Sequence, residues 1–172
     1  MADDFALPIH ERHFEDYVAG AVYEYGSLTV DAEQILQFAR EYDHQPLHTE
    51  AATGGPFGEP IASGWHTTAL MMRLFTDNYV SGAASLGGLG VDELRWLLPV
   101  RAGDVLRLRV SVLETRRSQS KPDRGVLRTL VEILNANDAV VLRLIVINLM
   151  RLRDPGAFAD KPIRPPAVDA SS

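Results

Sequence analysis

"IASGWHTTALMMRLFTDNY" (61–79) decides how this chain folds. Leu70, Met71, Met72, Leu74 and Phe75 leave almost no polar side on a helix of this length. A helix that is apolar nearly all round is a buried one. The spacing predicts that it begins near Gly64 or Trp65. Something further along the chain must cover it.

Downstream the period changes from 3.6 to 2. In "GDVLRLRVSVLE" (103–114), Leu106, Leu108, Val110 and Val112 point one way. Arg107, Arg109 and Ser111 point the other. "GVLRTLVEILN" (125–135) and "AVVLRLIVINLMRLR" (139–153) are two more strands, with "NAND" as the tight turn between them. A further strand is predicted over 91–98, ending at Pro99, and the glycine-rich "SGAASLGGLG" (81–90) separates it from the buried helix. Upstream, "VYEYGSLTV" (22–30) alternates as a strand. Ile35, Phe38, Ala39 and Tyr42 then repeat at helical spacing, and Asp31 with Gln34 forms a capping pair, which predicts a helix from Ala32 to Tyr42. Strand, short helix, long loop, buried helix and four successive strands make an α+β chain with a largely antiparallel sheet. That order resembles the order of a hotdog fold. An open sheet leaves an edge strand, so a dimer is expected. Residues 1–21 read as an N-terminal arm, 22–153 as the hotdog domain and 154–172 as a tail lying over the surface or disordered.

Composition narrows the function classes. Hydrophobic residues make up 46% and charged residues 23%, as in an ordinary globular protein. The net charge of -6 argues against nucleic acid, which demands clustered positive charge. The charge is uneven. Residues 1–94 carry 15 acids and 3 bases, and residues 95–172 carry 8 acids and 14 bases. No apolar run is long enough to span a membrane. The acidic start lacks a secretory pattern, so a cytoplasmic protein is expected. With no cysteine there is no disulfide framework and no thiolate chemistry.

Polar, strain-tolerant residues concentrate in "EYDHQPLHTEAATGGPFGEPIASGWH" (41–66), which holds three of the five histidines. Pro46 ends the preceding helix and stiffens a turn between Asp43 and His48. A carboxylate and an imidazole held at fixed spacing can move protons near neutral pH. The same pair also reads as a turn cap and a satisfied polar residue. Gly64 opens the buried helix, whose first N–H groups lack internal partners and carry the positive end of the dipole. That is a cradle for a carbonyl oxygen gaining negative charge; the same glycine also reads as one that simply permits a tight turn into the helix.

Four stretches carry a family resemblance: "FAREYDHQPLHTEAA" (38–52), "FGEPIASGWHTTALMMRL" (57–74), "LRWLLPVRAGDVLRLRVSV" (94–112) and "SQSKPDRGVLRTLVEILNAN" (118–137). Together they resemble the MaoC-like dehydratases, relatives of the R-specific enoyl-CoA hydratases, over about residues 22 to 153. The resemblance implies a hotdog dimer, or a higher assembly of dimers, that adds water reversibly across a 2-enoyl-CoA. Coenzyme A enters only as part of the acyl-CoA substrate; no separate cofactor and no metal are implied. Asp43 and His48 match the catalytic pair, holding one water between them, with the acid and base roles open. The Gly64 amide matches the contact to the thioester carbonyl, and Ser63, Trp65 and His66 flank it as substrate-binding candidates. His66 reads equally as a structural helix-start residue. Arg116, Arg117, Lys121 and Arg124 are candidates for the coenzyme A phosphates, or simply a charged hairpin tip. Two departures stand out: Gln45 precedes Pro46 where R-hydratases carry asparagine, and Ala69 stands where they carry a serine.

Rival chemistries fit less well. His44 and His48 have zinc-helix spacing, but Pro46 lies between them and there is no HExxH. Ser63 lacks the flanking glycines of a nucleophile elbow. A thioesterase hotdog would want an acid on the central helix, where only Asp77 stands, late. A binding-only hotdog would not need both Asp43 and His48.

Overall fold

The computed structural model describes residues 2–155. Most of the expected tail, from 156 on, lies outside the described residues. Five strands form one antiparallel sheet in the order β1-β3-β4-β5-β2, where β1 is Val22–Thr29, β2 Ser85–Trp96, β3 Val105–Arg117, β4 Arg124–Leu134 and β5 Val140–Arg151. Helix α1 spans Ala32–Tyr42 and helix α2 spans Gly64–Asn78. Short 3-10 turns at Pro46–His48 and Glu50–Ala52 shape the loop between the helices.

The expected alternation places the core. Leu106, Leu108 and Val110 on β3, and Leu127, Val131 and Ile133 on β4, are fully buried against α2. Arg107 and Arg109 point to the outer face. There they meet acids from both halves of the chain. Arg109 Nε lies 2.9 Å from Glu132, Arg107 lies 3.5 Å from Glu24, and Arg128 lies 3.6 Å from Asp92. The uneven charge distribution therefore becomes cross-strand pairing. Each exposed pair contributes only about 0–1 kcal/mol.

Three local details show how sequence becomes structure. Asp31 Oδ1 accepts the Gln34 N–H at 2.9 Å and starts α1 where the capping pair predicted. In the β4–β5 turn, Asn135 Oδ1 accepts the N–H groups of Asn137 (3.0 Å) and Ala139 (3.1 Å), while Asp138 takes φ 60°. Gly125 leaves room for an aromatic ring: a Cβ there would lie 2.3 Å from Phe14 Cε2.

Two expectations change. The glycine-rich 81–90 stretch does not wholly break the sheet, because β2 already starts at Ser85. Gly87 (φ 117°) and Gly90 (φ 150°) sit at register shifts against β5, and the bulges hide the two-residue period. Nor is α2 buried on every side. Leu70, Met71, Leu74 and Phe75 face the sheet, while Trp65 and Met72 are exposed in the single chain.

The segment before β1 reaches into the core with Phe14 and Tyr17. Its Arg12 is only 8% exposed and ends the central helix. The guanidinium donates to the carbonyls of Asn78 (2.9 Å), Tyr79 (3.2 Å) and Leu7 (3.0 Å), and stacks 4.0 Å above the Phe5 ring. A cation there complements the negative end of the α2 dipole. Arg12→Ala should therefore cost about 2–3 kcal/mol, from buried carbonyls left unsatisfied and lost packing. Arg12→Lys should recover less than half, because an ammonium cannot reproduce the fork. Thermal unfolding of the three proteins checks both.

Candidate active site

The loop over 43–63 folds back onto the start of α2. Asp43 is the C-cap of α1, its N–H bonded to the Ala39 carbonyl. Pro46 then starts the 3-10 turn that ends at His48. The Ile61 N–H donates to the Leu47 carbonyl at 3.2 Å, closing the loop on itself. Arg40 on α1 pairs with Glu33 at 3.2 Å and with Glu50 on the loop, and Arg101 Nη1 donates to the Phe57 carbonyl at 3.2 Å.

His48 is buried, 6% exposed. Its Nδ1 lies 2.8 Å from the Ile61 carbonyl oxygen. A carbonyl only accepts, so Nδ1 carries the proton. In the neutral ring Nε2 is then a bare acceptor, and it faces Asp43 Oδ2 at 3.4 Å. Two acceptors in that position need a proton between them, or a molecule that donates an O–H to each. A proton on Nε2, or a water or hydroxyl group bridging the two, would meet that need.

Asp43 is kept ionised. The Ser63 hydroxyl donates to Oδ2 at 2.7 Å, and the Gln45 side-chain amide donates to Oδ1 at 2.8 Å. These bonds, with Ser63 the largest influence and burial opposing, hold the carboxyl below the usual carboxylate range. Ser63 does a second job as N-cap of α2, accepting the Trp65 N–H at 3.2 Å. One hydroxyl thus ties the carboxylate to the positive end of the central helix. Gln45, a departure from the R-hydratase pattern, supplies the other carboxylate bond.

A cavity of about 270 Å³ opens beside this cluster. His48, Gly64, Thr67, Phe57, Trp96 and Leu98 are among its walls. Asp43 does not line it and reaches it through His48. The Gly64 N–H has no acceptor among the described residues and lies at the helix start, where partial positive charge collects. Gly64 is glycine because of Trp96: a Cβ would lie 2.5 Å from Trp96 Cδ2. The indole N–H donates to Thr68 Oγ1 at 3.1 Å, and that hydroxyl donates to the Gly64 carbonyl at 2.8 Å.

Other candidates fall elsewhere. His66 is buried but stacks on Phe38 of α1 at 5.1 Å, away from this cavity. Burial lowers its pKa, and its Nδ1 has no hydrogen-bond partner. Trp65 is 59% exposed and meets Trp96 edge-on. His44 donates to the Arg40 carbonyl at 2.7 Å rather than converging with His48. Arg116, Arg117, Lys121 and Arg124 cluster where β3 meets β4. At about 3.3 Å per residue, the 13-residue β3 runs roughly 40 Å, and they stand at its far end from the cavity of the same chain. Arg124 there grips Asp123 through two bonds of 2.7 Å, and Arg117 pairs with Glu15 at 3.5 Å. The cavity residues that sequence reasoning missed include Phe57 on the loop and Leu97, Leu98, Val100 and Val141. Leu97, Leu98 and Val100 follow the end of β2 and Val141 lies at the start of β5; the pairing of those strand ends, with the Leu97 N–H donating to the Val141 carbonyl at 2.8 Å, brings them together at the cavity.

The MaoC like domain matches residues 15–132. The chain belongs to the MaoC-like family. A solved MaoC-like dehydratase from Rhodospirillum rubrum is 35% identical, with a TM-score of 0.73, covering 83% of this chain and 99% of that one. The 3-hydroxyacyl-thioester dehydratase Z of Mycobacterium tuberculosis is 32% identical over 110 residues, 62% of this chain and 73% of that protein. An uncharacterized protein of Bacillus subtilis, YdeM, is 29% identical over 129 residues, 74% of this chain and 90% of that one. The fold is the hotdog fold of this family, and its relatives support hydration and dehydration chemistry in broad terms. Among the described residues no helix is long and apolar enough to cross a membrane.

In this MaoC-like site, Ser63→Ala should raise the Asp43 titration midpoint toward the ordinary carboxylate value. The sign follows from linkage. A depressed carboxyl pKa stabilises the fold above the unfolded value, and that contribution is lost as pH falls through the folded one. Carbon-13 titration of the Asp43 carboxyl should show the midpoint rise. Losing the cap as well should cost about 0.5–2 kcal/mol in chemical unfolding.

Proposed function

We propose that this protein catalyses reversible addition of water to a 2-enoyl-CoA, giving a 3-hydroxyacyl-CoA of R configuration. The observation that carries this reading is the His48 Nε2–Asp43 Oδ2 pair at 3.4 Å, oriented by the Ile61 carbonyl and adjoining the cavity that Gly64 lines.

A water donates one O–H to His48 Nε2 and the other to Asp43 Oδ2. Imidazole is intrinsically a stronger base than a carboxylate stabilised by two donated hydrogen bonds. His48 therefore takes the proton while the oxygen bonds to C3. The electron pair of the double bond moves onto the thioester carbonyl, giving an enolate. The Gly64 N–H and the α2 dipole stabilise that charge, a contribution of about 2.7–4 kcal/mol in comparable sites. The enolate then collapses, and the proton held by His48 passes to C2. One water has been added and both residues return to their starting state. No cofactor is needed beyond coenzyme A in the substrate.

The exposed apolar residues on α2 and β2 support a homodimer. Trp65, Met72, Leu89 and Val91 are 45–60% exposed in the single chain, on the edge strand and the open side of the helix. The basic β3–β4 tip is too far from its own cavity to hold the coenzyme A phosphates there, so any such contact comes from another subunit.

Crotonyl-CoA tests the reading. Loss of the conjugated thioester absorbance without free thiol is the expected result. Thiol release would indicate a thioesterase, and binding without either signal a binding-only protein. Asp43→Asn and His48→Ala should each lower kcat by about 10²–10⁴-fold, the usual worth of a proton-transfer group, with circular dichroism unchanged. Near-normal turnover in both variants would overturn the mechanism.

A further inference from the structure

A second apolar cavity lies on the other side of the overhanging loop. It has a volume of about 310 Å³ and is lined by Pro46, Leu47, Ala51, Ala52, Pro56 and Phe57. Phe57 belongs to the walls of both cavities. So does the loop closure itself: Leu47 faces the second cavity, Ile61 faces the first, and a backbone hydrogen bond joins the two residues. The second cavity therefore abuts the reactive one, with the Phe57 ring as the removable part of the partition.

Resting on the hydratase reading above, we propose that Phe57 sets the upper limit of acyl-chain length, and that the second cavity takes the methyl end of a longer aliphatic 2-enoyl chain. Three observations support this. The reactive cavity, at about 270 Å³, falls just below the 300–1,000 Å³ usual for ligand pockets, and the second more than doubles it. The second cavity carries no charged side chain, so it suits a hydrocarbon and offers nothing to a phosphate or carboxylate. Phe57 is also partly open to solvent. Its carbonyl is anchored by Arg101 Nη1 at 3.2 Å, yet its side chain is 40% exposed and sits between Gly55 and Gly58, the latter at φ 77°. The backbone is held while the ring has room to move.

The test compares kcat/KM for straight-chain C10 and C4 2-enoyl-CoA in each protein. Phe57→Ala opens the partition and should raise the C10:C4 ratio at least tenfold, since one methylene accommodated in an apolar pocket is worth about 10–200-fold. Ala51 is exposed at the far side of the second cavity. Adding Ala51→Phe to Phe57→Ala should fill that space and return the ratio to within threefold of the parent. A ratio unchanged by Phe57→Ala overturns the proposal. So does a rise that Ala51→Phe does not reverse, because the chain would then be running elsewhere. Absence of C4 hydration in the parent protein would instead defeat the hydratase reading, so the two failures are distinct.

Discussion

The hydrogen bond from His48 Nδ1 to the Ile61 carbonyl is the constraint on which the site depends. It joins residues 13 apart on opposite limbs of the loop. It also decides which nitrogen of a buried imidazole carries the proton. Remove it and two things fail together: the loop loses a closure at the mouth of the cavity, and Nε2 no longer faces the carboxylate as an acceptor. The orientation of the ring and the tautomer of its neutral form are set by one contact.

A second contact does comparable work from the other side. Ser63 caps α2 and donates to Asp43, so the carboxylate is positioned by the end of one helix and the start of another. The central helix matters here less as a filler of the sheet than as an electrostatic element. Its first turn supplies the positive potential, its cap residue Ser63 donates to Asp43, and Arg12 complements its far end. The fold and the chemistry share these few polar atoms, which is why most of them are buried.

What was legible in the sequence was whatever depended on period or local chemistry. The α1 limits followed from Asp31 and Pro46, and the β3 alternation survived folding because no bulge interrupts its first half. Gly64 could be singled out because a helix start has known needs; Ser63 was read only as a flanking substrate-binding candidate, and its bonds to Asp43 and the Trp65 N–H came from the structure. The start of β2 was hidden because two bulges scramble its alternation. His66 was ambiguous for a different reason. It lies two residues after Gly64 in sequence, but 3.6 residues per turn points it to another face, toward Phe38. The cavity wall from Leu97, Leu98, Val100 and Val141 was invisible, since no spacing rule tells which strand ends pair with one another.

The Gly64–Trp96 contact shows why such a wall cannot be read one residue at a time. Glycine is needed here without any unusual backbone angle. It is needed because a flat ring lies where a Cβ would be. The ring is held there by Thr68, whose hydroxyl accepts from the indole and donates to the carbonyl of Gly64 itself. Helix start, threonine and tryptophan thus form a closed circuit across α2 and β2. Trp96 lies on the edge strand, with its outer side exposed at 45% in the single chain. The circuit therefore couples the amide that would receive the thioester oxygen to β2, one of the two edge strands of the sheet. A second subunit packing against that edge would press on the wall of the reactive cavity without touching either member of the acid–base pair.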